Sequence, residues 1–496
     1  MKLKLKKIAN KAAKIIGSRY FFWFIIALFI FQAVWIALSF RYSMIYDEYY
    51  HFGLIEYFSH QWLPWISNQP VSLDQYGALA RSPYLLYHYL MSFPFRVVSL
   101  FTNDFYTQVV AMRFVNIGLF ACSLVIFMRL FRAMKIQPVF RNIALLFFVL
   151  LPATPFVAAT VNYDNATLPL TALFVFIGLK IIKSEKTQWH NYALLILIGM
   201  AGSLMKISFL PIFAAGFAYV FIRLLIKQKT KIVHDLVQSF SRSRIWLKVA
   251  ILIPFVVVGF IFMERFAVNI VKYHSLSPSC ESLMSKNRCR SNYIELRSYD
   301  LKKSRTGNPV QFPQYASTWV YSMEFGLVVT GANTNGKVGT KMGAPLPIIY
   351  TVVFIGAIVS VVAIAYGFEK LKNISGFWLI ASVIALYFSA LFYTNTSLYY
   401  EYYQLLAIQG RYLLPILPFI FIFALLGINY AMRSNTLLKA IFFTVVFALY
   451  LNGAGVITHI MRSDCSWYWD NQTVCKVNNE ARNLLTPFIK EYWYER

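Results

Sequence analysis

Two adjacent carboxylates, Asp47 and Glu48, stand in the run Arg41-Tyr-Ser-Met-Ile-Tyr-Asp-Glu-Tyr-Tyr-His51, just after the first long apolar stretch of the chain. A carboxylate at the edge of a low-dielectric layer is a strengthened base, suited to taking the proton of a sugar hydroxyl. The plainer role is an acidic helix N-cap with a solvated neighbour. A third acid, Asp164 in Val161-Asn-Tyr-Asp-Asn-Ala-Thr167, stands alone between Asp104 and Glu185 at the end of another apolar run. Acids at a membrane edge are costly and point to function, although Asp164 could equally cap a helix. Three cations have comparable settings: Lys206 in Gly202-Ser-Leu-Met-Lys-Ile207, Arg411 in Gln409-Gly-Arg-Tyr-Leu-Leu-Pro415, and Arg81 in Arg81-Ser-Pro83. Arg can bind a phosphate bidentately and Lys as a point charge; the common alternative is snorkelling to headgroups.

The other polar candidates are weaker. His51, His60 and His88 match no metal-ligand spacing, and a divalent cation shared by Asp47 and Glu48 is the arrangement the acids leave open. The aromatic runs Tyr399-Tyr-Glu-Tyr-Tyr403 and Trp467-Tyr-Trp469 can stack on sugar rings or sit at an interface. Together with the two carboxylates they tilt the reading toward a carbohydrate, with His51, Tyr46 and Tyr402 as candidate contacts.

The elements that must position these residues are apolar. The chain has 496 residues, of which 58% are hydrophobic and only 14% charged, with 45 Phe, 33 Tyr and 11 Trp and a mean hydropathy of +0.55. A soluble domain is nearer a quarter charged, so these numbers exclude a soluble enzyme, a disordered chain and a coiled coil. The net charge of +27 raises nucleic acid as a partner, but the Lys and Arg are scattered between apolar segments rather than gathered on one face. Basic residues flanking spans orient a membrane protein and meet anionic lipid instead.

About eleven apolar segments have helical length. They fall near Phe21–Phe40, Val109–Phe131, Asn142–Asn162, Ala166–Ile182, Tyr192–Met205 and Ile207–Ile226, then Leu247–Met263, Met342–Tyr366, Ile374–Tyr393, Tyr412–Tyr430 and Ala440–His459. Tyr84–Phe101 is apolar too but carries His88, Pro94 and Arg96. If it lies on the outer surface rather than crossing, the short loops with Arg129, Arg132, Lys180, Lys183, Lys370 and Lys372 share the side of the basic N-terminus. The opposing turns then hold only Lys206 and Arg411. That asymmetry sets the N-terminus in the cytoplasm and the C-terminus outside.

Cys280 and Cys289 then share one outer loop, and Cys465 and Cys475 share the outer tail. Two close pairs on the oxidising side read as two disulfides; free or metal-binding thiols are the alternative, without His spacing to support it. The expectation is an all-α polytopic membrane protein. It comprises a basic N-terminus 1–20, a transmembrane core 21–263 with a first outer loop 41–108, and an extracytoplasmic loop 264–341. C-terminal spans over 342–460 and an extracytoplasmic tail 461–496 complete it. Lys and Asn usage with outer disulfides suits a bacterial inner membrane.

The series resembles the GT-C superfamily of membrane glycosyltransferases, such as aminoarabinose and O-mannosyl transferases. The shared features are an acidic pair after the first span, an Arg/Lys-Pro element before an outer surface helix, an acid after the third span and a Lys ending the fifth. The resemblance covers roughly Phe21–Ile226 as ordered short motifs; Asp47-Glu48 with His51, and Gln409-Gly-Arg-Tyr-Leu-Leu-Pro415, look like a bacterial polytopic family within that group. Ser82 interrupts the Arg/Lys-Pro element, and the 264–341 loop has no counterpart.

The resemblance implies transfer of a sugar from a polyprenyl-phosphate donor to a glycan or glycolipid acceptor such as O-antigen. It makes Asp47 the base, Glu48 its assistant, Asp164 an orienting group, and Arg81, Lys206 and Arg411 the phosphate ligands. No cofactor is required. No G-x-G-x-x-G or Walker A motif is present, and a lipid phosphate leaves without a nucleotide fold. The rival is a transporter or flippase of lipid-linked sugars, which would set its charges near the midplane and often carry internal repeats.

Overall fold

A computed structural model describes residues 2–185, 187–228, 232–305, 308–333, 340–432 and 435–489. Parts of the 264–341 loop and the end of the 461–496 tail lie outside these ranges. The described chain is helical almost throughout. An amphipathic α1 (Lys2–Ile16) precedes α2 (Arg19–Ser39), whose N-terminus is capped by Ser18 accepting from the Phe21 amide. Then follow α3 (Glu48–Ser59), α4 (Leu86–Ser99), α5 (Phe105–Ala133), α6 (Pro138–Leu150), α7 (Ala153–Ala158), α8 (Asp164–Lys183), α9 (Trp189–Met205) and α10 (Leu210–Gln228).

Helices α11 (Ile232–Ser241), α12 (Ile245–Phe262) and α13 (Val268–Tyr273) lead into the loop region. It holds α14 (Lys286–Cys289), α15 (Tyr293–Lys303), α16 (Phe312–Val328) and a two-stranded antiparallel ribbon, β1 (Thr330–Asn333) against β2 (Thr340–Gly343). The chain closes with α17 (Pro347–Leu371), α18 (Phe377–Tyr402), α19 (Leu417–Ala431), α20 (Thr436–Tyr450), α21 (Val456–Arg462) and α22 (Gln472–Leu485).

Among the described residues seven helical segments are long and apolar enough to cross a bilayer, and four shorter apolar helices, α6, α9, α19 and α20, accompany them. Together these cover the eleven apolar segments read from the sequence. The short ones have 13, 17, 15 and 15 residues. The apolar windows of Ile245–Tyr273 and of α17 are only 11% buried by protein, against 67% for α8. Helices this apolar and this uncovered need a lipid solvent. The chain is a multi-pass membrane protein.

Several boundaries differ from the sequence reading, for backbone reasons. The segment expected as one span over Asn142–Asn162 breaks into α6 and α7, because Pro152 supplies no amide and holds Leu151 in an extended conformation. Ala440–His459 breaks likewise between α20 and α21, where Gly453 (φ 151°) and Gly455 (φ 53°) take conformations closed to other residues. The two breaks meet: the Gly455 amide donates to the Leu150 carbonyl, and Gln32 donates to the Val149 carbonyl while accepting from the Val456 amide. Backbone groups freed by the broken helices are thereby satisfied inside the bundle. Residues 342 and 343, expected at the start of a span, belong to the ribbon, and α18 runs nine residues past the expected Tyr393, taking Asn395–Tyr402 into a helix. Leu86–Ser99 forms a helix packed on α3 and α5 and is not among the span-like helices.

The loop is stitched to the first connection. Cys280–Cys289 is bonded with Cα atoms 5.8 Å apart, and Cys465–Cys475 with 5.2 Å, as the pairing predicts. Arg288 forks onto Asp74, with contacts of 2.7 Å to both carboxylate oxygens, and also donates to the Gln69 carbonyl. Asn292 donates to Gln75. Asp74 is buried, so Arg288→Met strands its carboxylate. Limited proteolysis of the detergent-purified variant should cut the loop faster than in wild type, with the span helices still protected; an unchanged cleavage rate would show that the fork does not hold the loop.

Candidate functional site

Four of the polar residues read from the sequence converge at one end of the bundle. Tyr46 and Asp47 leave α2 in consecutive left-handed conformations (φ 75° and 65°), unusual for residues with side chains. Tertiary bonds hold this turn: the Tyr46 carbonyl accepts from Asn162 and from Arg411, the latter at 3.0 Å. The turn sends the adjacent carboxylates in opposite directions.

Asp47 is half-exposed, with Oδ2 2.8 Å from the Arg411 guanidinium. Arg411 is buried in the tight turn that leads into α19. Its Nε lies 3.8 Å from Asp164 Oδ2, too far for a hydrogen bond. Asp164 opens α8 and is ion-paired through Oδ1 with Lys206, the residue that ends α9. Burial pushes the Lys206 ammonium below the usual lysine range, and Asp164 opposes that shift.

The result is an alternating series, Asp47–Arg411–Asp164–Lys206, framed by rings. Lys206 Nζ lies 4.7 Å from the Tyr163 ring centre and 4.5 Å from that of Tyr412, and Arg411 stacks at 4.5 Å on Tyr46. Asp164 Oδ2 and Arg411 Nε are buried without a hydrogen bond among the described residues. Unfilled hydrogen-bonding capacity beside two buried cations makes this a candidate site for a polar ligand.

Asp47, His51, Tyr163, Lys206 and Tyr412 line a cavity of about 800 Å³. Its second wall is apolar, from Ile207, Leu210 and Pro211 at the start of α10 and from Leu391 and Leu398 on α18. Its third wall belongs to the loop: Leu276 to Cys280, Asn292, Ile294 and Glu295. Burial pushes the Glu295 carboxyl above its usual range. Arg411 and Asp164 lie behind this lining and not in it; the cavity can hold an amphiphile, with an anionic group on Lys206 and an apolar part against α10 and α18.

Four sequence-based assignments need correction. Glu48 is fully buried away from the cavity, its two oxygens taken by Arg113 at 2.8 and 2.7 Å and by the Met44 and Val161 amides. It has no free lone pair to assist Asp47. For the same reason Asp47 and Glu48 cannot share a divalent cation, and no group of three or more metal-ligating side chains gathers among the described residues. Arg81 is engaged by Glu264 and Asn269, joining the first connection to the segment from α12 into α13, and does not stand free as the sequence suggests. Tyr402 ends α18 beside Lys302 and does not line the cavity. Tyr46 contributes its carbonyl and a ring beneath Arg411.

Two pairings escaped sequence reading, Glu48 with Arg113 and His51 with His88. Arg113 was legible, since a cation inside an apolar helix demands a partner. His88 was not: it meets His51 at 2.9 Å across 37 residues, while His60 stands exposed at the far end of α3. No protein-family model matches the chain, and no curated protein matches it.

Proposed function

We propose that the chain is a membrane glycosyltransferase that moves a sugar from a polyprenyl-phosphate donor to a glycan or glycolipid acceptor at the extracytoplasmic face of a bacterial inner membrane. The observation that carries this reading is the cavity itself: one half-exposed carboxylate, two buried cations behind it and an apolar wall beside them. The distribution of Lys and Arg supports a cytoplasmic N-terminus, which turns the cavity outward; the two disulfides suit that side.

In this reading Asp47 takes the proton of the acceptor hydroxyl as its oxygen attacks the anomeric carbon. The bond from that carbon to the phosphate oxygen breaks, and polyprenyl phosphate departs with the electron pair. Lys206 and Arg411 stabilise the charge that grows on the phosphate, and Asp164 holds both cations in place. A phosphate arriving at Arg411 competes with Asp47 for its guanidinium, which frees the carboxylate to act as a base. Single displacement inverts the anomeric centre, and a product with the donor's anomeric configuration would refute that step.

The test is release of polyprenyl phosphate from a panel of radiolabelled polyprenyl-phosphate sugars, with acceptor extract supplied. Wild type should turn over one donor, and Lys206→Met should lose about a hundredfold or more in rate. No turnover with any donor would favour the transporter reading, to be followed by donor translocation in proteoliposomes.

A further inference from the structure

Asp47 follows the end of α2 and Asp164 opens α8, so the start of α2 and the end of α8 lie at the other end of the bundle from the cavity. Cations gather there for which the proposed reaction has no use. Helix α5 stops in a left-handed turn at Lys135 (φ 61°), where the Lys135 amide donates to the Arg132 carbonyl and the Ile136 amide to the Phe131 carbonyl. Pro138 then starts α6. Arg129 and Arg132 before the turn, Lys135 within it and Arg141 after it thus surround one short connection. Two further segments are tied to it. Lys183, at the end of α8, donates to the Ala133 carbonyl at 2.7 Å. Asn142 donates to the Ile16 and Ser18 carbonyls, which sets Arg19, the first residue of α2, beside the start of α6.

These six cations lack a counter-charge. Glu185, exposed just past α8, is the only acid in residues 1–46, 105–163 and 165–188. None of the six is ion-paired among the described residues. Arg132 and Lys183 suit the C-terminal ends of their helices, but Arg19 and Arg141 stand at N-terminal ends, where the helix dipole disfavours a cation. Arg141 Nε is buried without a hydrogen-bond partner among the described residues. Helix stability therefore does not account for the set. The surface beside it is apolar: Tyr20, Trp23 and Phe24, directly after Arg19, are exposed and continue into the lipid-facing side of α2. A phosphodiester with acyl chains uses both features, whereas a free phosphate uses only the cations.

We propose that the α5–α6 turn, the end of α8 and the start of α2 together bind an anionic phospholipid, with its phosphate on Arg132 and Arg141 and its acyl chains along the aromatic start of α2. The site belongs to the leaflet away from the cavity, which on the orientation proposed above is the inner one. It needs nothing from the glycosyltransferase reading.

Native mass spectrometry of the detergent-purified protein counts the lipids it retains. Given equimolar phosphatidylglycerol and phosphatidylcholine, wild type should keep the first in preference. Arg132 is exposed, so Arg132→Gln leaves the packing intact. It should lower phosphatidylglycerol retention about fivefold, and Arg132→Gln with Arg141→Gln about twenty-five-fold. Arg242→Gln with Arg244→Gln removes the same charge between α11 and α12, also away from the cavity, and should leave retention unchanged. An equal loss in that control would reduce the effect to the net charge of the chain and overturn the site. Equal retention of the two lipids by wild type, or undiminished retention by Arg132→Gln, would overturn it too. Excess inorganic phosphate should not displace the lipid; displacement would assign the cations to a free phosphate instead. No outcome involves turnover, so a protein inactive with every donor would strike the glycosyltransferase reading and leave this site standing.

Discussion

Asp47→Asn is expected to lower the rate of polyprenyl phosphate release by about 10²–10⁴ while leaving the thermal unfolding midpoint in detergent almost unchanged. The substitution keeps the shape of the side chain and an amide oxygen for Arg411, and it removes the charge and with it the ability to accept a proton. Little stability should be lost, because Asp47 is half-exposed and does not bury a charge. Turnover equal to wild type would remove Asp47 as the base. The search would then pass to Asp164, whose Oδ2 is unfilled, and not to the adjacent Glu48, whose oxygens are committed to Arg113 and two backbone amides.

Glu48 yields the second large effect, on the fold rather than on chemistry. Arg113→Met leaves the Glu48 carboxylate fully buried with no cation, and removing one partner of such a pair costs about 3–5 kcal/mol. Arg113 also donates to the Ala37 and Phe40 carbonyls at the end of α2, so the same substitution frees two buried acceptors where the chain turns toward Asp47. The double change Arg113→Met with Glu48→Met should recover much of the loss, because an apolar pair of similar size carries no uncompensated charge. Unfolding monitored in detergent should rank wild type first, the double variant next and Arg113→Met last. A single variant as stable as wild type would show that the pair contributes nothing net.

The contrast between neighbours shows where sequence reasoning stops. Span-length apolar runs, the two cysteine pairs and the isolation of Asp164 and Lys206 in near-uncharged turns are local facts, and local facts are legible. Which of two adjacent acids faces the cavity depends on the left-handed turn at Tyr46 and Asp47, and that turn is imposed by Asn162 and Arg411 from far along the chain. No local propensity encodes it. Arg81 failed for a related reason: its setting before Pro83 reads as a free cation until Glu264 and Asn269 arrive from the other side of the loop. The breaks at Pro152 and at Gly453 and Gly455 were legible as residue types, but their mutual satisfaction through Gln32 was not.

The unequal helix lengths have a consequence for the surrounding lipid. At 1.5 Å per residue, α9 and α19 reach about 25 and 22 Å, whereas α17 and α18 reach about 37 and 39 Å. A hydrocarbon layer of about 30 Å matches neither set. Hydrophobic mismatch is set by the apolar stretch that meets lipid, and a short one thins the bilayer beside it. Lys206 closes α9 and Arg411 leads into α19, so both cations stand at the ends of short helices. On the proposed function, a leaflet thinned at those ends would bring a lipid donor's phosphate nearer to Lys206 and Arg411.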